Sequence, residues 1–520
     1  MADNVNTIKF PEKWVSMISL TPPSLKDNTA DADRLAGALK RELKTDSIQI
    51  DLSLIRMLPN FLRKCNYQVR CVFFRDRERY ILAGVLDTKT ESMAAGLAVD
   101  LGTSRVVIRL LDLETGVTLG ESAFDNPQGA IGPDILVRIH FAGSSEGLKH
   151  LNGLIIEGLN REIQSLCEKC GILPENIYLV TVAGNTAMTH LFLKIDPHWI
   201  IREPYIPATN RPGLVGAEEL GIDINPFAQV MIFPNIGSYF GGDLIAGILF
   251  SGINKKQDTA ILVDVGTNAE VVLGNETWLI ACAGAAGPAL EGGVTRMGMM
   301  AGPGVIDKVS IDPVTKEFSI HTIENKTPMG ICGSGLIDLA AQMFLARMID
   351  IRGKFVPSNC RGRLKETDGI YHLIVVPAQE SATGKNLTIS QVDLDSLIRS
   401  KAAMFTILET ITGTVGVGLS DLSTFYVAGT FGSFINPCSA ISIGMLPDLP
   451  LESYKSLGNS SLAGAALALV RPACLNDIDK IRDRITYMEL NVNQDFMNRF
   501  SAAKFIPHTD TARFPSVKLS

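Results

Sequence analysis

The sequence has no apolar run long enough to cross a bilayer. Its most apolar stretches, Leu244 to Phe250 and Ser461 to Val470, fall well short of the ~20 residues a spanning helix needs. The opening residues, Met1-Ala2-Asp3-Asn4, lack the basic and apolar regions of a secretory signal. A basic excess is also missing. With 48 Lys and Arg against 55 Asp and Glu, the net charge is −7, whereas a nucleic-acid binder needs a cationic footprint that displaces counterions. No ordered cysteine framework is present either. The nine cysteines (65, 71, 167, 170, 282, 332, 360, 438 and 474) are odd in number and irregular in spacing. Such a set fits reduced thiols in a cytoplasmic protein. No C-x4-C-x2-C run of the ferredoxin kind occurs. Cys167 and Cys170 share one helix face, but two thiols do not complete a zinc or iron–sulfur site. Ordinary packing is the simpler reading, a cluster shared across a homodimer the alternative, and dimerisation itself stays open.

What the chain does have is a large apolar fraction, 46% of 520 residues. That length predicts more than one domain, at roughly 100–200 residues each. It also has a repeat. Asp100-Leu101-Gly102-Thr103-Ser104 recurs as Asp264-Val265-Gly266-Thr267-Asn268. Each copy follows a short apolar strand, residues 96–99 or 260–263, and precedes a second β-rich run, 106–108 or 271–273. Two strand–turn–strand hairpins of this kind predict two related lobes that grip a nucleotide phosphate from both sides.

The remaining pattern sorts into segments. Residues 1–20 read as a tail or docking segment. Residues 21–93 read as a small α/β domain, with helices at 31–43 and 52–61 and strands at 67–74 and 79–86. Residues 94–258 read as a first lobe, with a strand at 177–182 and a buried helix at 244–250. Residues 259–520 read as a second lobe with a C-terminal segment. Its landmarks are a glycine-rich stretch at 283–304, helices at 336–348, 394–415 and 461–469, a polar insertion at 354–384 and a strand at 424–428. Strands alternating with helices, with glycines at the strand ends, predict an α/β fold whose ligands lie at those ends.

The chemistry follows from residue type. A carboxylate beside a polyphosphate needs an intervening cation, so Asp100 and Asp264 imply Mg²⁺, held partly through water. Gly102 and Gly266 allow tight turns, while Thr103, Ser104 and Thr267 offer hydroxyl and N–H donors to phosphate. Asn268 is placed toward the γ-phosphate, and Glu270 reads equally as a solvated strand residue. Asn185, in the loop 183–186, is a further nucleotide contact. Asp243 after Gly241-Gly242 reads either as a helix N-cap or as the group that positions Mg²⁺ or an attacking water. Gly333, Ser334 and Gly335 open a helix that offers N–H groups to an anion or ribose, or simply pack closely against a strand. Gly429, Thr430, Phe431 and Gly432 would let adenine or ribose lie on bare backbone, with a plain turn as the alternative.

Beyond these turns, the chain carries Leu20-Thr21-Pro22-Pro23-Ser24-Leu25-Lys26-Asp27-Asn28, Asp125-Asn126-Pro127-Gln128 and Gly184-Asn185-Thr186-Ala187-Met188. Gly287-Pro288-Ala289-Leu290-Glu291-Gly292, Gly330-Ile331-Cys332-Gly333-Ser334-Gly335-Leu336-Ile337-Asp338 and Leu446-Pro447-Asp448-Leu449-Pro450 follow in order, as does Gly458-Asn459-Ser460-Ser461-Leu462-Ala463-Gly464-Ala465. From about residue 20 onward this series resembles the ATP-dependent reductive activators of corrinoid proteins, within the acetate and sugar kinase, Hsp70 and actin superfamily. The resemblance implies a two-lobed actin-like ATPase with duplicated ribonuclease-H-like lobes, preceded by the small α/β domain. It implies ATP and Mg²⁺ as cofactors and a corrinoid protein of a methyltransferase system as partner. The activity implied is return of Co(II) to Co(I). Many relatives also carry a [2Fe–2S] ferredoxin-like domain or cysteine clusters. This sequence shows neither, so no iron–sulfur cluster is expected in it and the electron would come from a separate low-potential donor. A small-metabolite kinase and a non-catalytic nucleotide-dependent regulator are the competing readings on the same scaffold. No nucleic acid or membrane partner is expected.

Overall fold

The structure is a computed structural model that describes residues 11–76, 78–89, 92–266, 268–285, 295–429, 435–488 and 495–518. Packing divides the chain into two units. One takes the chain up to Phe250 together with Ser460–Asp483, and the other takes Ser251–Asn459 and the chain from Arg484 onward.

The first unit opens with a four-stranded sheet of β1 (Val15–Ser19), β2 (Ile48–Gln49), β3 (Gln68–Asp76) and β4 (Arg79–Asp87), in the order β1-β3-β4-β2. Part of the expected tail is therefore a strand. Val15–Ser19 pairs antiparallel with β3, and Trp14 is fully buried, stacked on Phe74 and donating from Nε1 to the Ala468 carbonyl at 3.0 Å. The helix Asp31–Leu43 buries Leu35, Leu39 and Leu43 on one stripe, with acids in its first turn and bases in its last, the arrangement its dipole favours. The helix Leu52–Lys64 buries Leu54, Leu58 and Leu62 and is capped by Asp51, which accepts from the Ser53 N–H.

A six-stranded sheet follows: β5 (Ala95–Leu101), β6 (Arg105–Asp112), β7 (Thr118–Asp125), β8 (Ile177–Gly184), β9 (Gly213–Gly216) and β10 (Gln229–Ile232), in the order β7-β6-β5-β8-β10-β9. The β5–β6–β7 meander is antiparallel, whereas β5–β8 and β8–β10 are parallel. Alternation along β5 sends Leu97, Val99 and Leu101 into one core, shared with Leu151, Ile155, Leu159, Ile163 and Leu166 of the helix Ser145–Cys170. The opposite face receives the helix Ser460–Val470. A methyl group on Gly96 would lie 3.3 Å from the Leu469 side chain, and Thr181 Oγ1 donates to the Ala465 carbonyl at 2.8 Å. This helix enters the first unit although it follows most of the second in sequence.

The second unit repeats the order of five of these strands. Its strands are β11 (Ala260–Val265), β12 (Asn268–Gly274), β13 (Leu279–Ala285), β14 (Val305–Ile311), β15 (Phe318–Thr322), β16 (Gly330–Ile331), β17 (Leu364–Thr367), β18 (Ile370–Val376), β19 (Leu387–Ser390), β20 (Thr424–Ala428), β21 (Tyr454–Gly458) and β22 (Ile485–Tyr487). The main sheet runs β21-β20-β11-β12-β13-β22. Again the first three strands form an antiparallel meander, and the first is flanked on its other side by parallel strands. Five strands of each sheet thus share one connectivity, while β9 extends the first sheet beyond β10 and β22 extends the second beyond β13. The segment expected as a polar insertion instead supplies β17 and β18, which form a sheet with β19. Leu373, Val375 and Val376 enter the core beside the helix Gln391–Thr414. Charged flanks hide that apolar strand from a composition reading. Among the described residues no helix is long and apolar enough to cross a membrane.

Close approach of the helices Ser460–Val470 and Gly242–Ser251 rests on Gly464, where a methyl group would overlap the Ala246 carbonyl. Gly464→Val is expected to destabilise the full chain by about 1–3 kcal/mol through overpacking, seen as a lower thermal midpoint in scanning calorimetry. An unchanged midpoint would show that this contact yields freely.

Candidate functional site

In the first unit, parallel pairing sets Asp100 beside Ala183 and Leu101 beside Gly184. The turn Gly102–Ser104 therefore sits next to the turn that ends β8. Gly102 is required there, because a methyl group would overlap the Arg105 carbonyl. Asn185 serves two turns at once. Its Oδ1 accepts from the Met188 N–H at 2.9 Å, capping the helix Thr186–Phe192, and its Nδ2 donates to Thr103 Oγ1 at 3.0 Å. Gly241 packs onto the Asn185 backbone, and a methyl group on it would lie 2.5 Å from Asp243 Oδ1. Asp243 is inside the first turn of the helix Gly242–Ser251, not at its N-cap, and accepts from the Leu244 N–H at 2.9 Å. The structure thus gathers Gly102, Thr103, Asn185 and Asp243 around two adjoining turns, with Asp100, half-buried, at the end of β5.

Three further residues belong to this region, and sequence reasoning gave them no role. Asn126 is buried. Its Nδ2 donates to the Gly102 carbonyl at 2.9 Å and its backbone N–H to the Ser104 carbonyl at 2.8 Å. Its Oδ1 accepts from the Gln128 N–H at 3.0 Å. Gln128 and Arg138 are fully buried. Arg138 Nη1 donates to Gln128 Oε1 at 3.3 Å and to Met188 Sδ at 3.5 Å, while Nε donates to the Gly132 carbonyl at 2.9 Å. The usable signal was Asn126-Pro127, an N-cap followed by a proline at the first helical position.

In the second unit, Asp264 is half-buried near the end of β11, opposite Glu270 and beside Ala428. Gly429 closes β20 with φ +82°, and a methyl group there would lie 2.9 Å from Asp264 Oδ1 and 3.1 Å from the Val265 carbonyl. Gly266 follows the strand, and Asn268 starts β12 opposite Ala285. Thr267, Thr430, Phe431 and Gly432 lie outside the described residues, as does the motif 287–292. Gly333, Ser334 and Gly335 form the first turn of the helix Gly333–Leu345. A methyl group on Gly335 would overlap the Ile306 carbonyl, and Ser334 Oγ lies 3.2 Å from Cys332 Sγ. Close strand–helix packing is what Gly335 visibly provides.

All nine cysteines are free. Burial pushes the Cys167 thiol up to about 11, and the Cys170 thiol points at the Leu119 carbonyl at 3.5 Å. No cluster of three or more His, Cys, Asp or Glu residues suited to a metal occurs among the described residues. Mg²⁺ does not need one, since it is commonly held by one or two carboxylates together with water and phosphate oxygens. Asp100 in the first unit and Asp264 in the second are each half-buried beside a glycine turn, and either one fits as such a carboxylate.

The helix that Asn185 caps carries a buried histidine. His190 Nδ1 contacts the Thr186 carbonyl at 2.7 Å, and Nε2 accepts from the Ala208 N–H at 3.1 Å. These partners fix the neutral Nδ1–H tautomer. Burial holds the ring below its ordinary value of 6.5, although the Thr186 carbonyl works the other way. As pH falls through 6.5 the unfolded chain takes up a proton that the folded chain refuses, so stability drops until the lowered folded value is passed. As pH falls from about 7 through 6.5, the thermal midpoint is expected to fall more steeply than that of His190→Gln. Parallel profiles for the two proteins would remove His190 from this linkage.

Comparison with known proteins accords with this geometry. The chain matches the family profiles described as the RACo linker region over residues 11–92, the RACo middle region over 95–256, and the C-terminal domain of RACo, the ASKHA domain, over 258–518. It is 30% identical to the corrinoid activation enzyme RamQ of Eubacterium limosum over 482 residues, covering 88% of this chain and 80% of that protein. It is 24% identical over 441 residues to the [Co(II) methylated amine-specific corrinoid protein] reductase of Methanosarcina barkeri, covering 78% and 75%. A solved structure of a reductive activator for a corrinoid, iron–sulfur protein superposes with a TM-score of 0.88 at 36% identity, covering 97% of this chain and 81% of that one. The turns gathered above therefore lie in a chain that belongs to the RACo family, with residues 258–518 as its ASKHA domain.

Proposed function

We propose that this protein is an ATP-hydrolysing activator that docks on a corrinoid protein of a methyltransferase system and helps return its cobalt from Co(II) to Co(I). The observation that carries this reading is likeness along nearly the whole chain to proteins described as corrinoid activators, at 30% and 36% identity. The strand–turn repeat is compatible with it, since each unit carries a glycine turn beside a half-buried carboxylate.

In this reading Asp100, Thr103, Ser104, Asp264 and Thr267 hold Mg-phosphate, and Asp243 positions water or Mg²⁺. Bound Mg²⁺ would offset the charge that otherwise keeps carboxylates and polyphosphate apart. Asn185 orients Thr103 through its 3.0 Å hydrogen bond. Residues 333–335 and 429–432 receive adenosine. The energetic logic is a population shift. Nucleotide changes the corrinoid equilibrium only if the nucleotide-bound protein interacts differently with the two cobalt states. Electrons come from a separate low-potential donor, and the free thiols suit the reducing cytoplasm.

Asp264→Ala is expected to lower ATP turnover at least ~100-fold, the scale for losing one fixed electrostatic group at a reaction centre, while leaving the unfolding midpoint near wild type. Wild-type turnover should rise when a Co(II) corrinoid protein is added, with a cobalt absorbance change in the presence of a low-potential reductant. Phosphorylation of a metabolite would point to the kinase, binding without turnover to the regulator, and undiminished turnover in the alanine variant would remove Asp264 from the site.

A further inference from the structure

The buried polar residues of the first unit close into a ring. From the Gly102–Ser104 turn, one arm runs through Asn126 and Gln128 to the Arg138 guanidinium. The other arm runs from Thr103 through Asn185 and Met188 to the same Nη1. Both arms end on one cation that has no solvent exposure. Its side-chain partners are an amide and a thioether, neither of which neutralises it, and among the described residues it forms no ion pair. The N-cap of its own helix (Ile135–Phe141), Asp134, is exposed and engaged in capping the Val137 N–H.

Such a charge is costly. A guanidinium stays protonated, and burying it without a carboxylate forfeits hydration that amide and sulfur contacts do not replace. For mere support an apolar side chain of the same length would serve better. A buried charge is also poorly screened, so its field reaches the turn it braces.

Resting on the nucleotide reading above, we infer that Arg138 is a positioning residue for nucleotide phosphate: it fixes the Gly102–Ser104 turn through both arms and gains its counter-charge when phosphate binds there. The cost of the unneutralised cation in the empty protein is then part of the affinity for phosphate. The ligand class this selects is a nucleoside polyphosphate, with preference growing with phosphate charge.

The test is calorimetric titration of the full chain with adenosine, AMP, ADP and ATP in the presence of Mg²⁺ at low salt. Arg138→Met removes the charge and keeps the length. It is expected to weaken ADP and ATP about tenfold, within the roughly 5–150-fold range of coupled sites, to weaken AMP less and to leave adenosine unchanged. Its ligand-free thermal midpoint should equal or exceed wild type. Arg138→Lys, which keeps charge but not the planar fork, should recover part of the loss. A second variant, Gln128→Glu, leaves the cation in place and sets a carboxylate against it, and should weaken ADP and ATP in the same graded way. Wild-type affinity for ADP and ATP in either charge-altering variant, or an equal loss for adenosine and ATP, overturns the inference while the nucleotide reading stands. A wild-type chain that binds none of the four overturns both.

Discussion

The pairing of each sheet's first strand governs the rest of the molecule. β5 is hydrogen-bonded antiparallel to β6 on one side and parallel to β8 on the other, and β11 stands in the same relation to β12 and β20. A parallel neighbour must end at the same edge. The hairpin turn leaving β5 and the turn leaving β8 are thereby side by side although the residues that join them, Thr103 and Asn185, are 82 positions apart. In the second unit the same rule brings Gly429 against Asp264. A carboxylate near the end of the central strand, a glycine turn after it and a second glycine or asparagine turn beside it are consequences of one hydrogen-bonding pattern used twice.

That pattern explains what could be read from sequence. The repeated Asp-x-Gly-Thr segments, each between two apolar β runs, carry both the duplication and the position of the turn, because strand and turn signals are local. Signals that depend on tertiary partners were silent. Val15–Ser19 is short and follows charged residues, and only its pairing with β3 makes it a strand. Residues 364–376 look polar because positions 365–371 are exposed and mostly polar or charged, while Leu373, Val375 and Val376 supply the core. Ser460–Val470 reads plainly as a helix, yet nothing in its small apolar residues says which sheet it covers.

The site divides along the same line. The strand-end positions of Gly102, Asp100 and Asp264 were legible because a glycine turn after a strand is a local signature. Arg138 was not, since an arginine in a short helix ordinarily reads as a solvated face. Its burial follows from distant residues, Gln128 and Met188, that enclose it. Asn126 is intermediate: Asn-Pro announces a turn, but not that its side chain spans to the Gly102 carbonyl. The hydrogen bonds that hold the turns are long-range, whereas the turn residues themselves are local.

The late return of Ser460–Asp483 to the first unit bears on how the protein is made. Most of that unit has left the ribosome once Phe250 is synthesised, yet the helix that covers Gly96 and accepts the Thr181 and Trp14 hydrogen bonds is still to come. At ordinary elongation rates the delay is about 10–40 s. During it one apolar face of the sheet waits bare, in the size range where nascent domains recruit chaperones or aggregate. The first unit is thus born unfinished, and its last helix arrives only after almost all of the second unit has been translated.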